Sequence, residues 1–119
     1  MGTSRSSKRE TRWVAGVRLF SGRPDPAWTV PSRIAKRLIE RWESLPPFSG
    51  TPPSPAALGY RGSFLRDGGG RQWLAFGGVV TLESKNKTES REDTGGVWEK
   101  LLLATAPKGT LPRSFLKND

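Results

Sequence analysis

One stretch of this chain, PSRIAKRLIERWESL at residues 31–45, repeats apolar side chains at helical spacing over successive turns. No other segment does so at that length. Ile34, Ala35, Leu38, Ile39, Trp42 and Leu45 form the stripe, the pattern of a helix that buries one side. Arg33, Lys36, Arg37 and Arg41 lie off it, with Glu40 and Glu43 among them. Lys36 and Glu40 have the spacing of a helical ion pair. Pro31 suits a first turn, Ser32 is a cap candidate, and Pro46-Pro47 stops the helix, which is expected over 31–44. The other apolar runs are short, and Gly and Pro separate them. An amphipathic helix and a sheet with an apolar face must bury each other, so the class expected is α+β in two layers.

The short runs read as strands. Residues 13–20, WVAGVRLF, put Trp13, Ala15, Val17 and Leu19 on one face and Val14, Gly16, Arg18 and Phe20 on the other. Both faces are largely apolar, as in a central strand. Residues 58–66, LGYRGSFLR, put Leu58, Tyr60, Gly62 and Phe64 on one face, with Arg61, Ser63 and Leu65 opposite. Asp67-Gly68-Gly69-Gly70 is a hairpin loop, 71–76 the return strand and 78–84 a further strand after Gly77-Gly78, or the same strand continued after a bulge. The sheet expected is antiparallel, of three to four strands. It packs against the main helix, and a short C-terminal helix at 97–106 has Val97, Trp98, Leu101, Leu102 and Thr105 on its apolar side.

Residues 46–57 hold five prolines and read as a stiff surface connection packed through Phe48. Residues 85–94, KNKTESREDT, carry no apolar side chain and read as an exposed loop. The core expected is Trp13, Val17, Leu19, Ile34, Leu38, Trp42, Tyr60, Phe64, Trp73, Phe76, Val79, Leu101 and Leu102. One α+β domain is expected over 13–116, with 1–12 a disordered basic arm and 117–119 a fraying tail behind Leu111 and Phe115.

The stretch GRPDPAW at 22–28 is a corner. Pro24 and Pro26 push Arg23 and Asp25 toward extended backbone. Asp25 is placed to accept a bond from an N–H two residues on, and Trp28 to fold back over the strand end. The expectation is a structural corner from strand 13–20 to helix 31–44, rather than a binding loop. FSGRPDPAW and LGYRGSF together resemble a group of small uncharacterised single-domain proteins. These share an F-S-G-R-P-N/D-P-x-W corner, a G-Y-R-G strand and a Leu-rich segment near the end. Here those are residues 20–28, 58–64 and 98–105. The resemblance implies a recurring compact domain and transfers no catalytic or binding residue.

The chain has no Cys and no His. That removes thiolate and Ser-His nucleophiles, imidazole bases and the usual zinc ligands. The carboxylates are scattered, so no enzyme, no metal site and no cofactor is expected. The net charge is +9, weighted to the front half, which favours anionic partners. Arg5, Lys8, Arg9 and Arg12 of the arm and Arg33, Lys36, Arg37 and Arg41 of the helix are the candidate anion and partner surface. Asp67-Gly68-Gly69-Gly70-Arg71 lies between strands and lacks the Lys-Ser/Thr of a phosphate loop. Thr94-Gly95-Gly96 precedes a helix, with Thr94 a cap candidate.

The function expected is a non-catalytic basic binding module for a protein partner with an acidic surface. A second reading is nucleic-acid binding through the same cations, with Trp28, Tyr60 or Trp73 stacking on bases if exposed. A third is membrane attachment through the N-terminus. Met1-Gly2-Thr3-Ser4-Arg5-Ser6 fits the N-myristoylation pattern, with Lys8 and Arg9 behind it. The arm also has the basic, Ser-containing character of a transit peptide. No apolar run has transmembrane length and no secretory core follows the arm, so a cytoplasmic location is expected.

Overall fold

The computed structural model describes residues 12–20, 25–53 and 59–111. Within them β1 (Trp13–Phe20), β2 (Ala27–Val30), β3 (Gly59–Arg66), β4 (Gln72–Phe76), β5 (Val79–Ser84) and β6 (Lys87–Glu92) form one antiparallel sheet. Its order is β2-β1-β3-β4-β5-β6. Helix α1 (Ser32–Glu43) follows β2, and α2 (Val97–Leu103) follows β6. The α+β class agrees with the sequence. The sheet has six strands rather than three to four, because β2 and β6 join it.

Register sorts the strands into rows. Trp28, Ala15, Leu65, Trp73, Leu82 and Glu89 stand opposite one another across the sheet, and Val17, Ser63, Ala75, Val80 and Arg91 form the next row. These rows face the helices. Ala35, Leu38 and Trp42 of α1 and Trp98 and Leu102 of α2 close the core over them. Three buried indoles also tie elements together. Trp42 Nε1 donates to Val80 O at 3.0 Å, Trp98 Nε1 to Leu38 O at 2.8 Å and Trp28 Nε1 to Thr105 Oγ1 at 2.7 Å. On the other face, Thr29, Val14, Arg66, Gln72, Glu83 and Thr88 form one row, and Ala27, Gly16, Phe64, Leu74, Thr81 and Ser90 another.

The corner does not turn a strand into a helix. Trp13 pairs with Val30 and Gly16 with Ala27, so the segment connects two antiparallel strands. Asp25 Oδ1 accepts from Leu19 N at 2.9 Å, back across the hairpin rather than from two residues on. Trp28 is a core residue of β2 rather than a lid on the corner. AWTV does alternate, exposed then buried, but four residues between prolines are too short to announce a strand. Residues 21–24, with Arg23, lie outside the described residues.

Residues 85–94 are a hairpin and an edge strand, not a loop. β6 pairs with β5 along its whole length. Its helix-side positions carry Glu89 and Arg91 where an apolar alternation would have been legible. Residues 46–48 cover its outer edge: Phe48 N donates to Ser90 O at 3.0 Å and Glu92 N to Pro46 O at 2.7 Å. Paired this way, the Ser90–Glu92 end of the edge is covered.

Near its end β3 differs from the expectation: Ser63 and Leu65 point into the main core, while Phe64, buried as expected, lies on the far face. Phe76 and Val79 share that face with it. The Tyr60 side chain and Leu58 lie outside the described residues. Leu101 is 40 % exposed instead of buried. α2 is only seven residues long, and Trp98 and Leu102, one turn apart, already fill the core. Its other apolar pair, Val97 and Leu101, therefore turns outward. Leu19 and Ile34 pack against the core from partly buried positions.

Local caps also differ. Pro31 is the N-cap of α1, with Ser32 the first helical residue and no side-chain cap bond. Lys36 and Glu40 do not reach ion-pair distance. α2 is capped by Asp93, not Thr94: Oδ1 accepts from Trp98 N at 2.8 Å and Oδ2 from Glu99 N at 3.1 Å.

Candidate partner-binding groove

α1 is fixed at its start by Pro31, whose carbonyl accepts from Ile34 N and Ala35 N, and along its length by Ala35, Leu38 and Trp42 in the core. That rotation leaves Arg33, Lys36, Arg37 and Arg41 exposed. None of the four has an ion-pair partner among the described residues. Arg12 is exposed just before β1. Because Trp13 stands opposite Val30, Arg12 lies at the edge of the sheet where the chain passes from β2 into α1. Arg5, Lys8 and Arg9, and Gly2 of the acylation pattern, lie outside the described residues.

The two helices meet in an open seam. One stretch is lined by Ile34, Arg37, Leu38, Glu40, Arg41 and Ser44 of the α1 side and Leu101 of α2. A second shares Arg41 and Ser44 and runs on past Leu45 and Pro46 to Glu92, Asp93, Thr94, Val97 and Trp98. Val97 and Leu101, 45 % and 40 % exposed, are the large apolar side chains most open to solvent among the described residues. They stand one turn apart on one wall, and Arg37 and Arg41 stand one turn apart on the other.

The seam is rigidly founded. Asp93, 1 % exposed, holds the start of α2. Arg91 holds the end of α1: Nη1 donates to Glu43 O at 2.8 Å and Leu45 O at 3.0 Å. Arg91 also reaches Glu89 Oε2 at 2.6 Å, and this bond chiefly lowers the Glu89 pKa. The cations of the groove were legible in the sequence. Its apolar wall was not, because Val97 and Leu101 read as core. Asp67 and the glycines after it form a hairpin tip, in which Asp67 Oδ1 accepts from Gly69 N and Arg71 N and Oδ2 pairs with Arg71 at 2.7 Å.

Trp28 and Trp73 are buried and so offer no ring to a nucleic-acid base. Among the described residues no group of three or more Asp or Glu side chains is gathered for a metal ion. No helix there is long and apolar enough to cross a membrane. Compared with protein-family models, with curated proteins and with solved structures, the chain matches none.

Proposed function

We propose that this chain is a non-catalytic binding module whose α1–α2 seam receives an acidic, amphipathic segment of a protein partner. The observation that carries the reading is the pairing of two exposed apolar residues, Val97 and Leu101, with Arg37 and Arg41, which have no ion-pair partner among the described residues, across one groove. A partner helix with apolar side chains one turn apart would lay them between Ile34, Val97 and Leu101. Its carboxylates would meet Arg37 and Arg41, whose planar forks suit them. The excess of positive charge would steer the encounter, and the apolar contacts would hold the complex. The lack of His and Cys throughout the chain supports a binding role over a catalytic one.

Nucleic-acid binding through the same helix is the second reading. The register that brings the chain into β1 where it leaves β2 for α1 favours it, since arm and helix would then contact one phosphate backbone.

A titration of the protein with a short acidic peptide carrying Leu at helical spacing tests the first reading. Leu101→Glu and the pair Arg37→Glu, Arg41→Glu should each abolish binding without lowering the melting temperature, and added salt should weaken binding only moderately. Peptide binding that survives both changes would end the proposal.

A further inference from the structure

The sheet face opposite the helices carries a cluster that the groove does not use. Arg18 of β1 and Arg66 of β3 converge on one neutral oxygen. Arg18 Nη2 donates to Gln72 Oε1 at 3.1 Å and Arg66 Nε to the same atom at 2.9 Å. The Gln72 amide donates onward to Glu83 Oε1 at 3.1 Å, which fixes its orientation. Both guanidinium groups also lie on the ring of Phe64, with their carbons 5.6 Å and 4.3 Å from its centroid. Phe64 in turn sits over Gly16, where a Cβ would come within 2.5 Å of Cζ.

Two features of this cluster call for a ligand. First, two cations share one acceptor, and neither has a carboxylate within ion-pair distance among the described residues. Glu83 is reached only through the amide, so two guanidinium groups and one carboxylate leave the network one negative charge short of neutral. Second, among the described residues each arginine donates only to Gln72, and the guanidinium fork carries further N–H groups that can grip an oxyanion. On this face Thr29, Arg66, Glu83 and Thr88 are exposed and Val14, Gln72 and Leu74 half-buried, while Phe64, Thr81 and Val79 among them are buried. The surface is partly apolar, with guanidinium planes held by an aromatic ring. That suits a single strand, whose unpaired bases can lie against such planes, better than a duplex, whose bases are stacked inside.

We propose that Arg18 and Arg66, positioned by Gln72 and Phe64, bind a phosphodiester of a single-stranded nucleic acid laid across this face. The diester supplies the single negative charge the network lacks, and its neighbouring bases rest against the guanidinium planes and Leu74.

The test is a fluorescence-anisotropy titration with labelled oligothymidylate, its duplex with oligoadenylate, inorganic phosphate and an acidic peptide. The variants are Arg18→Gln, Arg66→Gln, and the pair Arg37→Gln, Arg41→Gln on the other face. The single strand should bind more tightly than the duplex. Arg18→Gln or Arg66→Gln should each weaken it roughly tenfold, as expected for a lost charge-assisted bond. Each should also reduce the slope of log affinity against log salt by about 0.7, the value for one single-strand phosphate. The Arg37, Arg41 pair should weaken the strand far less than Arg18→Gln or Arg66→Gln, which separates this face from nucleic-acid binding through α1.

Melting curves identify a variant that has lost its fold. In that case the Nε–H resonances of Arg18 and Arg66 in the unaltered protein decide, and they should shift on adding the strand. Any of four results overturns the proposal: no binding by the unaltered protein, equal losses from both pairs of arginines, displacement of the strand by inorganic phosphate at equal phosphate concentration, or preference for the acidic peptide at this face.

Discussion

The guanidinium carbon of Arg91 lies 4.5 Å from the ring centroid of Trp42, so a cation on the edge strand covers the last core side chain of α1. The same group accepts no bond and donates to Glu43 O and Leu45 O. It therefore satisfies carbonyls that a helix end leaves open, and it places positive charge at the negative end of the helix dipole.

Replacing Arg91 by Met should keep the aliphatic cover and lose the carbonyl bonds. The expected cost is about 2–3 kcal/mol, from bonds to a charged group plus a partly desolvated ring contact. Urea denaturation measures it. Arg91→Lys keeps the charge but not the fork and should recover less than half of the loss. A Met variant as stable as the original protein would remove Arg91 from the account of how α1 ends.

Gly16→Ala places a methyl group 2.5 Å from Phe64 Cζ and 2.7 Å from Pro26 O. One contact is backbone, so both cannot relax together. The expected loss is about 1–3 kcal/mol or more, the range for an overpacked site. Gly16→Ala combined with Phe64→Leu should regain part of it, because the smaller side chain clears one of the two clashes. Thermal unfolding of the three variants checks this.

Asp93→Ala removes the acceptor for two backbone N–H groups at the start of α2. The site is buried, so the N–H groups left behind lose their partner and gain no water. The expected cost is about 1–3 kcal/mol. Because α2 carries Val97 and Leu101, the acidic peptide should also bind more weakly to this variant. Hydrogen exchange should show faster exchange at Trp98 and Glu99 than at strand positions.

Acid should weaken the fold through Asp67 and Glu89. Partial burial raises the Asp67 pKa, but bonds from the Arg71 amide and side chain and from Gly69 N outweigh it and hold it below the usual range. Bonds from Arg91 do the same for Glu89, against a smaller opposing effect of burial. Groups depressed in the folded state stabilise it fully above their unfolded values and lose that contribution as pH falls through the folded ones. The melting temperature should therefore fall between about pH 5 and pH 2. The double variant Asp67→Asn, Glu89→Gln should melt lower at neutral pH and show a shallower acid dependence. An unchanged acid slope would assign the sensitivity to other carboxylates.

The expectations that held were those carried by long periodic patterns or by strict turn chemistry. The stripe from Ile34 to Trp42 specified α1 within a residue or so at each end. Asp67 with its glycines specified the β3–β4 turn, and Gly77-Gly78 the β4–β5 turn, where both backbones have positive φ, 63° and 84°. Such φ values are open to glycine at little cost, so the signal is local and needs no partner.

What the sequence by itself determined, then, is the α+β class, the main helix, its outward cations and the turns between central strands. Each follows from spacing along the chain or from backbone freedom at one residue. The tertiary structure alone decided the edges and the faces. β2 is too short to show a pattern, and β6 turns Glu89 and Arg91 inward, so only their neighbours β1 and β5 make them strands. Phe64 and Leu65 are comparably apolar on opposite sides of β3, and the register with Gly16 and Trp73 put Leu65 under the helices and Phe64, also buried, on the far face. Likewise Trp98 and Leu102 took the one place under α1, and Val97 and Leu101 were left at the surface. Side-chain period assigns residues to two faces, but it is the packing of other elements that decides which face is buried.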